Sequence, residues 1–568
     1  MHVDVDTSAT LSPAASPVSR GGRWGLLAWL ASGVLLLAGL GISPVSRTQE
    51  ARVLETSREM LGEGAEQWLI PKVNGRVRLQ KPPLAYWLTA ASFQAFGVGE
   101  GAGRVPAALA GWLTVGLTAL VARWLFGNRA AFFAGAALTG SFLFFRHSRL
   151  AETDVLAMLF VTAAVYALWR GAWVGVDPRA AAAPPIVPPC PDDAPLMAGA
   201  GWFHLGAAAM ALATLGKGPP AAYPLLFLVV SALVDRRPRA LVRFVASGAL
   251  VTFVVLAIPW FAYVALNPLI SQLVNDLQNS AGGGKGHSGS FVSYAPQLLQ
   301  ATAPWTGIVL VALVAAVRRW KQDPRLRGLL VWSGAILVPL CLWGNKQLHY
   351  LMPLMPPLMI LAGWLLDEVL PRRSSSAPAA GGRPDALAAL TRNVLLVTVI
   401  ACALAAPGVV VAAKLVRGHL LQRDMAPAAA ALVLTAAVTV AWRRWGADAG
   451  ARTFAAAIAA AFAVLSAWAP TLTPDSPRSA AAVLRARYGD GPYVFHGGES
   501  LPLVFHLRSI IPVTRTPEEL AAHGAGAAPV VIQRLDERNP PAPGVVEDLR
   551  VDGGRVIFRA GRVARGSE

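Results

Sequence analysis

Charged and imidazole side chains beside apolar segments are the residues of this sequence most able to do chemistry. Glu50 and Asp154 are carboxylates, and such a group can act as a general base towards a hydroxyl. Lysine, arginine and histidine can hold a phosphate and neutralise charge that develops on it. Eight residues of these types stand at the ends of apolar runs: Glu50, Lys81, Arg149, Asp154, Lys217, His287, Lys346 and His349. A displacement reaction in which a phosphate is the leaving group needs one or two acids among several cations. This set of residues therefore predicts such a reaction.

A plainer interpretation exists for each of these residues. Long polar side chains at the end of an apolar run can simply reach to the membrane surface, without a function. Lys81-Pro82-Pro83 could only begin a helix, Lys217-Gly218 could only form a turn, and His349-Tyr350 could be an aromatic anchor. Because charges near a bilayer are costly without partners, eight of them on one side favour a functional site.

The composition places these residues in a membrane protein. The chain has 568 residues, of which 55% are hydrophobic and only 14% are charged. A soluble protein carries about a quarter charged residues. Repeated apolar runs of about 20 residues have the length that crosses a bilayer. The first, from Trp24 to Ile42, follows Arg20 and Arg23 and lacks a small-residue cleavage site, so we interpret it as an uncleaved anchor.

The basic residues predict the orientation of the chain. The net charge is +18, and most of the excess lies in short clusters beside apolar runs, as expected of cytoplasmic loops. With the N-terminus inside, the chain makes about 13 crossings, and the strong basic pairs then share one side. The eight residues above fall on the other side. This arrangement predicts a multi-pass protein of the plasma (inner) membrane, surrounded by membrane lipids, and excludes nucleic acid as a partner. The three cysteines have neither metal-site nor disulfide spacing.

The chain divides into three parts. Residues 1–23 form a cytoplasmic tail, residues 24–470 a transmembrane domain, and residues 471–568 a soluble extracytoplasmic domain. The run from Pro83 to Phe96 is too short to cross and predicts a helix on the membrane surface. In the last part, Thr516 to Glu519 predicts a helix start, while Pro529 to Ile532 and Arg555 to Phe558 predict strands. The predicted fold class is an all-α polytopic membrane protein with about 13 transmembrane helices, interfacial helices in the first outer loop and a small C-terminal α/β domain.

An ordered set of short motifs resembles one known family. The set covers about residues 24 to 370, and it is the order and spacing, rather than any single motif, that are specific. The sequence resembles the C-type membrane glycosyltransferases of the protein O-mannosyltransferase and lipid A aminoarabinose transferase type. The motifs are Glu50–Arg52, Ser57–Leu61, Trp68–Pro71, Asn74–Gly75, Lys81–Leu88, Phe96–Gly97, Arg104–Pro106, Arg149–Ala151 with Asp154, Lys217–Gly218, Pro259–Trp260, Pro304–Trp305, and Lys346 through His349–Tyr350 to Pro353 and Pro356.

The resemblance implies an inverting transfer from a polyprenyl-phosphate-sugar donor outside the cytoplasm. It implies that Glu50 lies in the acidic motif and that Asp154 is the acid of the second loop. The residues that the resemblance assigns to the donor phosphate, the carrier or other parts of the substrate are Arg52, Arg58, Lys81, Arg149, Lys217, His287, Lys346, His349 and Tyr350. His287 lies in a long outer loop that would close over substrate. The acceptor could be a lipid, a protein or another glycan.

The sequence departs from the family at Gln49. The family has Asp-Glu where this chain has Gln49-Glu50, and an amide is not a useful proton acceptor near neutral pH. Either Glu50 or Asp154 is then the base, or the chain is inactive; we favour Glu50. No cofactor is required, and several lysines make a divalent metal unnecessary without excluding one. Two other functions stay open: a transporter or flippase for lipid-linked sugars, and a non-catalytic relative that binds the carrier lipid.

Overall fold

The computed structural model describes most of the chain, and its helices carry nearly all of the fold. The described residues are 20–62, 64, 66–176, 178–179, 195–267, 269–272, 274–275, 290–371, 386–418, 421, 425–471, 476–524, 529–534, 545–553 and 557–563. The predicted site residue His287 lies outside them. The helices of the first half are α1 (Arg20–Leu37), α2 (Thr48–Glu59), α3 (Glu66–Leu69), α4 (Leu84–Phe96), α5 (Glu100–Phe126), α6 (Asn128–Thr139), α7 (Phe142–His147), α8 (Thr153–Ala172), α9 (Ala200–Lys217), α10 (Ala222–Val234), α11 (Arg239–Ala246) and α12 (Ala249–Leu266).

The second half contains further apolar helices and then a small mixed domain. Its helices are α13 (Tyr294–Thr302), α14 (Thr306–Arg318), α15 (Pro324–Leu342), α16 (Met355–Val369), α17 (Ala386–Arg417), α18 (Met425–Trp468), α19 (Pro477–Tyr488), α20 (Leu501–Leu507) and α21 (Pro517–Gly524). A 3₁₀ turn over Leu348–Leu354 precedes α16. The strands of the chain are β1 (Lys72–Val73), β2 (Arg76–Val77), β3 (Tyr493–His496), β4 (Val513–Thr514), β5 (Val530–Arg534), β6 (Val545–Asp552) and β7 (Ile557–Val563).

The apolar runs of the sequence are helical, which confirms the membrane class. Within the described ranges, 7 helices are long and apolar enough to cross a membrane, or 8 if the bent pair of α13 and α14 is one span. The remaining runs are shorter or broken: the predicted third span is divided between α6 and α7, and α18 is bent at Gly446, where φ is 85°. The predicted number of about 13 crossings therefore stays a prediction.

The segment between α1 and α5, which the sequence predicts to be the first outer loop, contains the short helix predicted between Pro83 and Phe96. This helix, α4, buries Ala85, Ala90 and Phe93, while Leu88 and Phe96 are 37% and 70% exposed. Its exposed face is thus apolar, as expected of a helix that rests on a membrane surface. Its buried face packs against α2 and α5, which fixes the position of the loop.

The C-terminal domain is a mixed α/β unit, as predicted. Its five strands are arranged in the order β4-β3-β5-β7-β6, with parallel pairing of β3 to both β4 and β5. The predicted helix start is confirmed, because Thr516 Oγ1 accepts the backbone N–H of Glu519 at 3.3 Å and α21 begins at Pro517. The two predicted strands correspond to β5 and β7.

The C-terminal domain packs directly on the first outer loop. The two share one apolar cluster, in which the rings of Phe93 and Phe505 lie 6.5 Å apart. Asn74, at the turn between β1 and β2, donates from its side-chain amide to the carbonyl of Ile511 at 2.8 Å and accepts the N–H of Ile511 at 2.8 Å. This pair of hydrogen bonds is buried, so it fixes the domain against the loop.

Replacing Asn74 with alanine is expected to loosen this contact. The change leaves the two Ile511 groups without partners, at a cost of about 1–3 kcal/mol each. Asn74 also has a positive φ of 52°, which alanine adopts less readily than asparagine. Limited proteolysis in detergent should therefore release the C-terminal domain faster than in the wild type. Arg76→Ala, at an exposed position of the same hairpin, is the control, and equal cleavage rates for Asn74→Ala and this control would contradict the prediction.

Candidate active site

The centre of the site is an ion pair between two helix ends. Asp154 lies in the first turn of α8 and is 2% exposed, and Lys217 is the last residue of α9. The two side chains form a salt bridge. A helix dipole favours an acid at its N-terminus and a base at its C-terminus, so each residue stands at the end that favours its charge. The packing of α8 against α9 brings these two ends together.

Further cations and a phenol surround this pair. Lys81, in the loop before α4, donates from Nζ to Thr153 Oγ1 at 3.0 Å. Burial and the nearby charge of Lys217 lower the pKa of Lys81 to about 8, although Asp154 opposes this shift. Lys217 Nζ lies 4.2 Å from the centre of the Tyr350 ring, and the ring of His349 packs edge-on against that of Tyr350. Two lysines, an imidazole and one carboxylate thus meet at one place.

A second carboxylate, Glu152, lies beside this cluster. His147 Nδ1 is 2.6 Å from Glu152 Oε2, and Arg47 forms a salt bridge with the other oxygen. Burial alone would raise the pKa of Glu152, but the hydrogen bond and charge of His147, together with Arg47, outweigh burial and lower this pKa. The ring of His147 lies 5.8 Å from that of His349. Glu152, which is bonded to His147, therefore lies close to the cluster around Asp154.

Both the oxygen and the nitrogen of the Gln49 side-chain amide form hydrogen bonds. Arg47 donates to its oxygen at 3.2 Å, and its nitrogen donates to Gln347 Oε1 at 3.2 Å. Gln347 in turn donates to Asn345 Oδ1 at 3.1 Å. Gln49 therefore links the first outer loop to the segment before Leu348–Leu354.

Glu50 has a different environment from the cluster. It is 1% exposed, and Arg104 of α5 donates to both of its oxygens, at 2.7 and 3.2 Å. The backbone N–H of Ala151 also donates to it, at 3.2 Å. Arg104 further donates to the carbonyls of Leu40 and Ser43, at 2.6 and 2.7 Å. Each oxygen of Glu50 is thus held by protein donors, an arrangement that suits an anchor of the loop.

Four other predicted binding residues have contacts outside the cluster. Lys346 donates to the carbonyls of Leu340, Cys341 and Trp343, so it caps the end of α15. Arg149 donates to the carbonyls of Leu35 and Leu36 at 2.9 Å, at the end of α1. Arg58 is paired with Glu55 on α2. Arg52 has a buried Nε without a hydrogen-bond partner among the described residues and lies near Arg78 and Glu499.

The structure thus brings together five predicted residues and adds others that sequence reasoning missed. The five are Lys81, Asp154, Lys217, His349 and Tyr350. The missed residues are Arg47, His147, Glu152, Thr153, Asn345 and Gln347. Position next to Asp154 is a signal that could have found Glu152 and Thr153. In the described ranges there is no group of three or more His, Cys, Asp or Glu residues that could hold a metal ion.

Several known proteins are similar to this chain in sequence. Residues 80–174 match the family described as dolichyl-phosphate-mannose-protein mannosyltransferase. The chain is 28% identical over 338 residues to an undecaprenyl phosphate-alpha-4-amino-4-deoxy-L-arabinose arabinosyl transferase of Aeromonas salmonicida, covering 57% of this chain and 56% of that protein. A second enzyme of this name, from Proteus mirabilis, is 27% identical and covers 56% of this chain and 55% of that protein. An uncharacterized protein of Aquifex aeolicus is 26% identical and covers 59% of this chain and 62% of that protein. The chain thus spans little more than half the length of these relatives.

A solved structure shares the fold over nearly the whole chain. The crystal structure of ArnT from Cupriavidus metallidurans has a TM-score of 0.73 and 23% identity, and the match covers 95% of this chain and 98% of that one. The same protein has also been solved bound to undecaprenyl phosphate, with the same scores. In fold and in sequence the chain is therefore similar to polytopic membrane proteins of the C-type glycosyltransferase class. Within this class its similarity is to the protein O-mannosyltransferases and aminoarabinose transferases, as the sequence motifs predict.

Proposed function

We propose that this protein transfers a sugar from a polyprenyl-phosphate-linked donor to an acceptor hydroxyl, with inversion at the anomeric carbon. The observation that carries the proposal is the convergence of Lys81 and Lys217, with His349, on the buried carboxylate of Asp154. Two lysines in a low-dielectric site stabilise a phosphate that gains negative charge as it leaves. The named activity of the relatives and the lipid bound to ArnT support the same donor class.

The proposal assigns separate tasks to the residues of the site. Lys81 and Lys217 hold the donor phosphate and stabilise it as the leaving group, so it departs without being protonated. His349 and Tyr350 border the sugar and keep Lys217 in place. Asp154 fixes Lys217 through their ion pair and orients it. Because the lysines supply the positive charge, the proposal contains no metal ion.

The site is proposed to open on the extracytoplasmic side of the inner membrane. Asp154 lies at the N-terminal end of α8, and Lys217 lies at the C-terminal end of α9. In each helix the basic clusters of the sequence are nearest to the opposite end. One such cluster is Arg236, Arg237 and Arg239, directly after α10. Basic clusters of this kind stay in the cytoplasm, so the opposite ends face outwards. The C-terminal domain, which packs on the first outer loop, then also lies outside and borders the acceptor.

The proposal is tested by incubating the purified protein with undecaprenyl phosphates that carry different sugars. We expect release of free undecaprenyl phosphate with at least one of them and faster release when a suitable acceptor lipid, peptide or glycan is added. Arg319→Gln is a control, because Arg319 pairs with Glu368 at the C-terminal end of α16, whereas the site lies near its N-terminal end. This substitution should not affect release. Tight donor binding with no release by the wild type would instead favour a carrier-lipid-binding protein.

The affinity for the donor should fall as the pH rises through about 8. Lys81 has a pKa of about 8, so it is charged below that pH and loses its charge above it. Only the charged form attracts a phosphate, and the donor's dissociation constant is therefore expected to rise between pH 7 and pH 9. Lys81→Met should bind the donor weakly and should lack this pH dependence. Equal pH dependence in the wild type and in Lys81→Met would contradict the assignment.

A further inference from the structure

We propose that His147, oriented by Glu152, is the general base that removes the proton from the acceptor hydroxyl. This inference rests on the proposed transfer and assigns its proton acceptor. Neither residue belongs to the predicted set of site residues, and the pair lies directly beside the cation cluster. Three observations support this role: the hydrogen bond between His147 and Glu152, the position of the pair beside His349, and the partners that occupy the other acids nearby.

The geometry fixes which nitrogen of His147 can act. Nδ1 lies 2.6 Å from Glu152 Oε2, and the two residues are 3% and 5% exposed. An anionic carboxylate only accepts hydrogen bonds, so Nδ1 carries the hydrogen, and in the neutral form of the imidazole Nε2 keeps a free lone pair. This bond engages Nδ1 and not Nε2. Arg47 holds the other oxygen of Glu152, which keeps the carboxylate in place. This is the arrangement by which a carboxylate orients a histidine base.

The position of the pair places the base next to the proposed leaving group. The ring of His147 lies 5.8 Å from that of His349, with 32° between their planes. His349 borders Asp154, which holds Lys217. A donor whose phosphate contacts Lys81 and Lys217 would thus have its anomeric carbon within reach of a hydroxyl held at His147.

The other acids of the site are less suited to accept a proton. Both oxygens of Glu50 are held by Arg104, and the backbone of Ala151 adds another donor. Asp154 is paired with Lys217 and lies near Lys81, and two cations make a carboxylate a weak base. Gln49 is an amide. His147 differs from these groups because its bond to the Glu152 carboxylate engages Nδ1 and not Nε2.

The reaction balances without any further reactant. The acceptor hydroxyl gives its proton to His147 Nε2 while its oxygen forms a bond to the anomeric carbon. The bond between that carbon and the phosphate oxygen breaks, and the phosphate leaves with the electron pair as polyprenyl phosphate. Lys81 and Lys217 stabilise the phosphate, Glu152 stabilises the imidazolium, and the proton then passes to water.

The test is a single-turnover measurement with the full-length protein in detergent, using the donor that the wild type accepts. His147→Gln should release undecaprenyl phosphate at least about 100-fold more slowly, the usual contribution of a general base, while donor binding changes less than threefold. Added imidazole should partly restore His147→Ala. His204→Gln is the matched control, because His204 is bonded to Thr252 and Ser247 away from the site.

A pH profile separates this role from a structural one. In the wild type, kcat should fall at acid pH, and the residual rate of His147→Gln should lack this acid limb. The charged and titratable groups around His147 are Glu152, Arg47 and His349, with Asp154 acting through Glu152. A neutral amide stabilises an imidazolium less than a carboxylate does, so Glu152→Gln should move the acid limb to lower pH and slow the reaction, while Glu152→Asp should retain part of the rate.

The outcomes distinguish the inference from the proposed function. Release by the wild type together with full release by His147→Gln would overturn the assignment of the base. An unchanged acid limb in Glu152→Gln would overturn it as well, even if His147→Gln failed to fold. No release by the wild type with any donor would overturn the proposed function itself.

Discussion

Replacing Lys217 with methionine is expected to reduce the rate of donor cleavage about 100- to 1,000-fold, the effect of removing one group that stabilises developing charge in a buried site. Lys217 is largely enclosed, with 14% of its side chain exposed, and it contacts both Asp154 and the Tyr350 ring. A cation in such surroundings acts on the phosphate far more strongly than one in water, because little solvent screens it. Methionine retains the length of the side chain and removes the charge.

The measurement is release of undecaprenyl phosphate at saturating donor, beside the donor's dissociation constant. Lys217→Arg should keep part of the rate, since it preserves the charge but places it on a wider and planar group. Arg319→Gln again serves as the control for a lost surface cation. A Lys217→Met protein that is correctly folded and cleaves the donor within threefold of the wild-type rate would show that Lys217 does not contact the leaving phosphate.

The second large effect is expected on stability rather than on chemistry. Glu50→Gln and Arg104→Gln should each lower the free energy of unfolding by about 3–5 kcal/mol, because each leaves one buried charge without its partner. Glu50 and Arg104 are both 1% exposed, and Arg104 also holds the carbonyls of Leu40 and Ser43. The double variant should lose less than the sum of the single variants, because it leaves no unpaired buried charge.

Thermal unfolding in detergent measures this effect, and turnover measured well below the unfolding temperature separates it from catalysis. If Glu50 is an anchor, the Glu50→Gln protein that remains folded should retain much of the wild-type rate. If Glu50→Gln is as stable as the wild type but has no turnover, Glu50 is the base that the sequence motif implies, and the anchor assignment is wrong. Glu66→Gln, at an exposed position in the same outer loop, is the matched control.

Much of the architecture could be predicted from the sequence, because it depends on local patterns. Apolar runs must form helices in a membrane, since no water is present there to satisfy the backbone. The runs therefore appear as helices, and the short run before Phe96 as a separate helix with an exposed apolar face. The cap at Thr516 and the strands after it were predictable for the same reason, since caps and alternating patterns act over a few residues.

Part of the site could be predicted as well. Lys81, Asp154 and Lys217 were identified by their positions at the ends of apolar runs and by motifs that resemble a known family. Charge at the end of an apolar run is costly, so it marks the residues that must find partners when the chain folds. The sequence thus determined that this is a multi-pass membrane protein, and that a lysine-rich site with buried acids lies at one end of its helices.

Only the tertiary structure decided which partner each charge found. Glu50 meets Arg104, which follows it by 54 residues, and Lys346 turns back to cap α15. Glu152 instead meets His147 and Arg47, and the His147 ring lies 5.8 Å from that of His349 at the edge of the cluster. Whether a carboxylate anchors a loop or orients a base depends on the donors that surround it. Those donors come from distant segments, so their contacts are fixed by the packing of the helices and not by the local sequence.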